Sequence, residues 1–182
     1  EMCIRDSDIN VAGQTHAVFV RSPHAHAEIQ GIDCSDALAA PGVVAVLTGD
    51  DLAADGIGPL ICGVTVTSDD GEPHRAPAHP ALAQGKVNYV GDHVAIVIAE
   101  TRVQARDAAE LVDVDYSVLP AVIDTGSAAD SGQPQIHEVA PDNVCYNWPF
   151  GDKEGVEAAF AGAHKVSNCL LYTSDAADEV DG

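Results

Sequence analysis

Two histidines and a carboxylate stand at alternate positions in the stretch RSPHAHAEI: His24, His26 and Glu28. All three are metal-ligand types, so the first chemistry to weigh is a metal centre. Read as a strand, the stretch puts His24, His26, Glu28 and Gln30 on one face and Ala25, Ala27 and Ile29 on the other. Alternate residues of a strand lie ~6.6 Å apart, and the first and third of a set ~13 Å apart. Two histidines at that spacing can share an ion, but Glu28 would have to lean back a long way. A third ligand is better drawn from another element, and His74 or His79 could supply it. A pair of histidines is a weak motif, and a structural or interface strand outweighs the metal reading.

The remaining chemical candidates are weaker. Gly91 and the GxG of Gly56 and Gly58 do not build a phosphate cradle, because neither G-x-G-x-x-G nor GxxxxGK[ST] occurs. Asp113 and Asp115 alternate on one strand face that points to water, so a charged surface is favoured over an acid–base pair. There is no G-x-S-x-G elbow. Cys34 and Cys62 have no adjacent base or helix N-terminus evident in the sequence and read as ordinary thiols. No catalytic, cofactor-binding or metal residue is assigned.

The elements that must position these residues follow from periodicity and punctuation. His16 to Arg21 is an apolar strand, broken by Ser22-Pro23 because proline donates no ladder bond. A half-buried strand follows from His24 to Ile32. Ser35 is placed to cap a short helix that stops at Pro41-Gly42. VVAVL, residues 43–47, is a continuous apolar run suited to a strand covered on both faces. Residues 49–85 hold six glycines and four prolines and no sustained period. A loop that long usually serves as a lid or docking surface, with a short hairpin expected around CGVTVTSDDGE. KVNYV (86–90) and HVAIVIA (93–99) are strands. Thr101 and Gln104 form a capping box for a helix to about Leu111. Residues 112–118 alternate as a one-sided strand. Strand–strand–helix–strand thus occurs twice, as a weak pseudo-repeat. Residues 126–150 read as a linker. A last helix is capped by Asp152, with Val156, Ala159, Phe160 and Ala163 in one apolar stripe that needs a partner.

Composition bounds the function classes. The hydrophobic fraction of 46% is ordinary for a globular chain. Acidic residues outnumber basic ones 29 to 8, for a formal charge of −21. That repels phosphate backbones and anionic membranes, so nucleic-acid binding is not expected. The five cysteines are widely spaced and include no CxxC, which argues against a disulfide framework, a zinc site or an iron–sulfur pattern and fits a reducing cytoplasm. No run is long and apolar enough for a membrane span. Residues 1–7 (EMCIRDS) and 169–182 (CLLYTSDAADEVDG) resemble translated sequencing-adapter read-through and are set aside as non-native flanks.

Three segments carry a family resemblance: SPHAHAEI, PGVVAVLTGDDL, and HPALAQGKVNYVGDHVAIVIAETRVQARDAAELVDVDYSVLPAVID. They resemble the N-terminal α/β hammerhead domain of the xanthine dehydrogenase/aldehyde oxidase family. Within that family they resemble most the molybdopterin-binding large subunit of the aerobic carbon monoxide dehydrogenase branch. The YVGD-x-VA segment and the AxDAAELV-x-VDY that follows are the most specific part. IHEVAPDNVCYNWPFGDKEGVEAAF resembles the beginning of the first molybdenum-cofactor domain. His93 departs from the pattern, standing where the family generally has proline after V-G-D.

The resemblance implies an α+β fold: an α/β hammerhead domain over 8–125, a linker over 126–150 and the start of a truncated molybdenum-cofactor domain over 151–168. It implies a parent oxidoreductase with a molybdopterin-type cofactor, and iron–sulfur clusters and FAD on partner chains. The residues that hold the pterin and perform catalysis in the family have no matching position here. The expectation is a scaffold fragment, cytoplasmic and inactive alone. The alternative is a freestanding metal-binding module using His24, His26 and a loop histidine. A biotinyl- or lipoyl-carrier domain is discounted, because none of Lys86, Lys153 and Lys165 sits in an evident tight hairpin.

Overall fold

The computed structural model describes residues 11–167. The expected flanks 1–7 and 169–182, with Cys3 and Cys169, lie outside the described residues. The chain divides into two compact units, the first ending at Asn147 and the second beginning at Trp148.

The first unit runs β1 (His16–Arg21), β2 (Ala27–Asp33), α1 (Ser35–Ala39), β3 (Val43–Thr48), α2 (Gly49–Ala54), β4 (Lys86–Val87), β5 (His93–Ala99), α3 (Arg102–Ala109) and β6 (Asp113–Val118). Two antiparallel three-stranded sheets result, ordered β1-β5-β3 and β4-β2-β6. The pseudo-repeat explains this order. Superposing block β1-β2-α1-β3 on block β4-β5-α3-β6 exchanges one sheet for the other. Each sheet is centred on the second strand of one block and flanked by the first and third strands of the other.

β5 carries the core because it is apolar on both faces. Val94 joins Ala27, Ala83 and Val87 in one cluster, on which Ile29, Ile32, Val114 and Tyr116 pack. Val97, on the opposite face, meets Val46 and the helix residues Ala37 and Ala108 in a second. The small residues on α1 and α3 let the helices lie close to the sheet. β3 differs from the expectation of a strand covered on both faces. It is an edge strand, and Val44 is 60% exposed.

Helix starts follow local hydrogen bonding. Ser35 is the first residue of α1 and not its cap; the Asp33 carboxylate accepts from the Ser35 backbone N–H and hydroxyl. The Thr101 side chain accepts from Gln104 N at 3.2 Å as expected, but the Gln104 side chain accepts from the Thr101 hydroxyl (2.8 Å), not from its backbone. α2 was not foreseen. Its signal is the capping box Thr48-x-x-Asp51, in which the Asp51 carboxylate accepts from Thr48 N at 2.7 Å. Gly49 at its start lies against the Ala83 carbonyl, where a Cβ would collide.

The rest of the 49–85 segment is tied down by backbone bonds. A hairpin forms where expected, with Ser68 N donating to Glu72 O and His74 N to Val66 O. Residues 145–147 are stitched to it: Arg75 N donates to Cys145 O, and Asp69 N to Asn147 O, both at 2.8 Å. The stretch from Pro120 to Asn147 is therefore a strap along the first unit. Its bend is fixed by Asn143, whose amide accepts from Ile136 N and donates to the carbonyls of Ala128 and Pro134.

The second unit holds α4 (Lys153–Gly162). Asp152 caps it as expected, accepting from Gly155 N at 3.0 Å. Val156, Ala159, Phe160 and Ala163 line an apolar groove of about 300 Å³ along the helix. Val156 and Phe160 are exposed.

Candidate functional site: a polar cavity beside the VGD turn

The turn Val90-Gly91-Asp92 brings two of the segments that carry the family resemblance together. Gly91 adopts φ +92°, a conformation that side chains with a Cβ rarely take. Gly91 N donates to Ser22 O and Ser22 N to Asp92 O, each at 2.8 Å, while the Arg21 guanidinium donates to Gly91 O. RSPHAHAEI and YVGD thus meet at the end of β1. His93, in the place where proline was expected, stacks its ring on Phe19 with centroids 4.3 Å apart.

This packing breaks the expected alternation. β2 begins at Ala27, so His24 and His26 lie in the bends that follow Pro23, ahead of the strand. His24 is half-buried with its ring edge on Tyr116. His26 turns inward and is only 5% exposed, its Nδ1 2.8 Å from the Pro120 carbonyl. Glu28 points to solvent and accepts from Gln30. The loop histidines go elsewhere. His74 lies 3.7 Å from the Cys62 sulfur, and His79 stacks on Tyr89. Among the described residues no group of three or more His, Cys, Asp or Glu side chains is arranged to hold a metal ion. The proposed set of His24, His26 and a loop histidine is not brought together.

A different constellation forms instead. His79, Lys86, Asn88, Tyr89, Asp92 and His137 line a cavity of about 180 Å³. Asp92 is 8% exposed and accepts from Asn88 N at 3.1 Å. Burial pushes the Tyr89 phenol up, and the adjacent Asp92 charge adds to it. Burial also pushes the His137 ring down; His26, His79 and Lys86 act in the same direction, and Asp92 opposes them. His26 and Asn88 each lie one residue beyond Ala27–Val87, the pair that closes the β2–β4 ladder. The site escaped sequence reading because its residues come from three distant segments, 79, 86–92 and 137. The VGD turn carried a family signal, and His79 stood out only as a possible metal ligand. A larger groove of about 360 Å³ runs past Ile57, Pro59 and Pro80, but its lining is apolar apart from Gln84 and holds no titratable side chain.

Comparison with known proteins agrees with the fold. Residues 6–120 match the family described as aldehyde oxidase and xanthine dehydrogenase, a/b hammerhead domain. The chain belongs to this family. It is 38% identical to the carbon monoxide dehydrogenase large chain of Afipia carboxidovorans, over 90% of this chain and 20% of that one. It is 39% identical to the nicotine 6-hydroxylase large subunit of Paenarthrobacter nicotinovorans, over 91% of this chain and 19% of that one. Among solved structures, the reconstituted CO dehydrogenase from Oligotropha carboxidovorans superposes with a TM-score of 0.67 at 35% identity, covering 87% of this chain and 20% of that one. The chain thus spans about a fifth of the length of these relatives. No helix among the described residues is long and apolar enough to cross a membrane.

Proposed function

We propose that this chain is the N-terminal region of a molybdenum hydroxylase large subunit, of the xanthine dehydrogenase and carbon monoxide dehydrogenase type. It serves as scaffold and has no turnover alone. The hammerhead domain occupies 8–125, and residues 151–168 begin the molybdenum-cofactor domain. The remainder of the large subunit is the first partner, and iron–sulfur and FAD subunits complete a cytoplasmic complex. The molybdenum cofactor supplies the oxidative chemistry of that complex. The polar cavity, at about 180 Å³, is smaller than the roughly 300–1,000 Å³ of sites for drug-sized ligands. It does not fit a pterin, so no step of that chemistry is assigned to it.

The observation that carries the reading is the apolar surface of the 49–85 segment. Ile57, Leu60, Ile61 and Val64 are all exposed, Ile61 at 95%, on a segment held in place by backbone bonds such as Leu60 N to His79 O. Apolar side chains displayed on a fixed loop suit a docking surface. The test is an assay of the purified chain with carbon monoxide, aldehydes and purines, together with metal analysis. The expected result is no turnover and no retained molybdenum. Turnover by this chain alone would overturn the reading.

A further inference from the structure

Two buried side-chain atoms lack a hydrogen-bond partner among the described residues: His26 Nε2 and Asn88 Oδ1. The β2–β4 ladder closes at Ala27–Val87, so His26 and Asn88 are the first residues beyond its last pair, and Asn88 forms part of the polar cavity wall. An unpaired buried polar atom costs about 1–3 kcal/mol, so each of the two calls for a partner.

The chemistry of that partner follows from the His26 tautomer. The Pro120 carbonyl can only accept, so Nδ1 carries the proton and donates at 2.8 Å. In the neutral ring Nε2 is then a bare lone pair. Asn88 Oδ1 is likewise an acceptor. The missing group must donate twice, which an anion cannot do. A metal cation could take both lone pairs, but Lys86 lines the same cavity and opposes one, and no three-ligand set is present among the described residues. A water molecule has the required two donors and can also accept from a neighbouring donor. A site for one water needs only ~10–15 Å³ of accessible volume, far less than the cavity of about 180 Å³ that Asn88 lines.

We propose that an ordered water binds between His26 Nε2 and Asn88 Oδ1. It joins the start of β2 to the end of β4. Through His26 and its bond to Pro120 it also reaches the end of β6, where Leu119 N donates to His26 O. All three strands of the second sheet would then be tied at one end by a single solvent molecule.

The test is NMR on the labelled 182-residue chain, comparing laboratory- and rotating-frame cross-relaxation between water and the His26 ring and Asn88 amide protons. The expected result is a long-lived water signal at both, with His26 in the Nδ1–H form. In Asn88→Ala the signal at His26 should vanish while the His26 tautomer stays the same, which shows that the fold around Pro120 persists. Three results would overturn the proposal: no long-lived signal in the parent chain; a scalar coupling that shows the Asn88 amide donating directly to Nε2; or stoichiometric zinc uptake that shifts Nε2.

Discussion

His137 is the residue whose protonation the cavity controls. Its ring is driven below the ordinary histidine value of 6.5, first by burial and then by His26, His79 and Lys86. In the unfolded chain the same ring binds its proton at about the ordinary value. Between the two values the unfolded state holds more protons, so stability rises with pH across that window. The contribution is intact above about pH 6.5 and is lost as pH falls through the folded-state value. The urea midpoint of the parent chain should therefore drop on going from neutral to mildly acidic pH. His137→Asn should flatten that part of the profile, and ring titration by NMR would report the lowered value directly. A His137 that titrates at or above 6.5 would contradict the packing described around it. The metal-type residues teach the complementary lesson: the sequence shows which side chains exist, but Pro23 delays the strand until Ala27. One backbone bend turned His26 inward and Glu28 outward, which no period-two reading could anticipate.

Elements with strong local chemistry were legible in the sequence. β1, β5, β6, the Thr101 start of α3 and the Asp152 start of α4 all fall where periodicity and caps put them. β4 is shorter than KVNYV suggested because the Asp92 carboxylate captures Asn88 N, and Asp92 N turns back to Tyr89 O. α2 was hidden because six residues are too few to show a period, and its cap uses aspartate in place of the usual glutamate or glutamine. That cap makes a direct prediction. Asp51→Ala should cost about 1 kcal/mol of stability, read by denaturant unfolding. Asp51→Glu should recover most of it if the box alone is responsible.

For the whole molecule, the proposed docking surface separates stability from assembly. Ile61 and Val64 are exposed and take no part in either core cluster. Ile61→Ser combined with Val64→Ser should leave the unfolding midpoint of this chain within about 0.5 kcal/mol of the parent. In the full-length large subunit the same pair should weaken assembly, read as a loss of the intact complex on size-exclusion chromatography. Full assembly by the double variant would move the docking surface elsewhere. The cavity shows the same dependence on the whole: its walls exist only after both sheets and the strap are in place, so neither composition nor local period could reveal it.

The exchanged sheets have a consequence for synthesis. Every ladder of the two three-stranded sheets joins a strand before residue 49 to one after residue 85: β1 and β3 to β5, and β2 to β4 and β6. A nascent chain that has reached Gly85 therefore carries three strands and no strand to pair them with. Non-local pairing of this kind is slow to form, and its unpaired edges are exposed to aggregation meanwhile. A polypeptide ending at Gly85 should show no sheet signal by circular dichroism. Adding a second polypeptide from Lys86 to Asn147 should restore it, with one-to-one stoichiometry. The ribosome must pass Lys86 before any strand made earlier has a partner, and finish β5 before β1 or β3 has one.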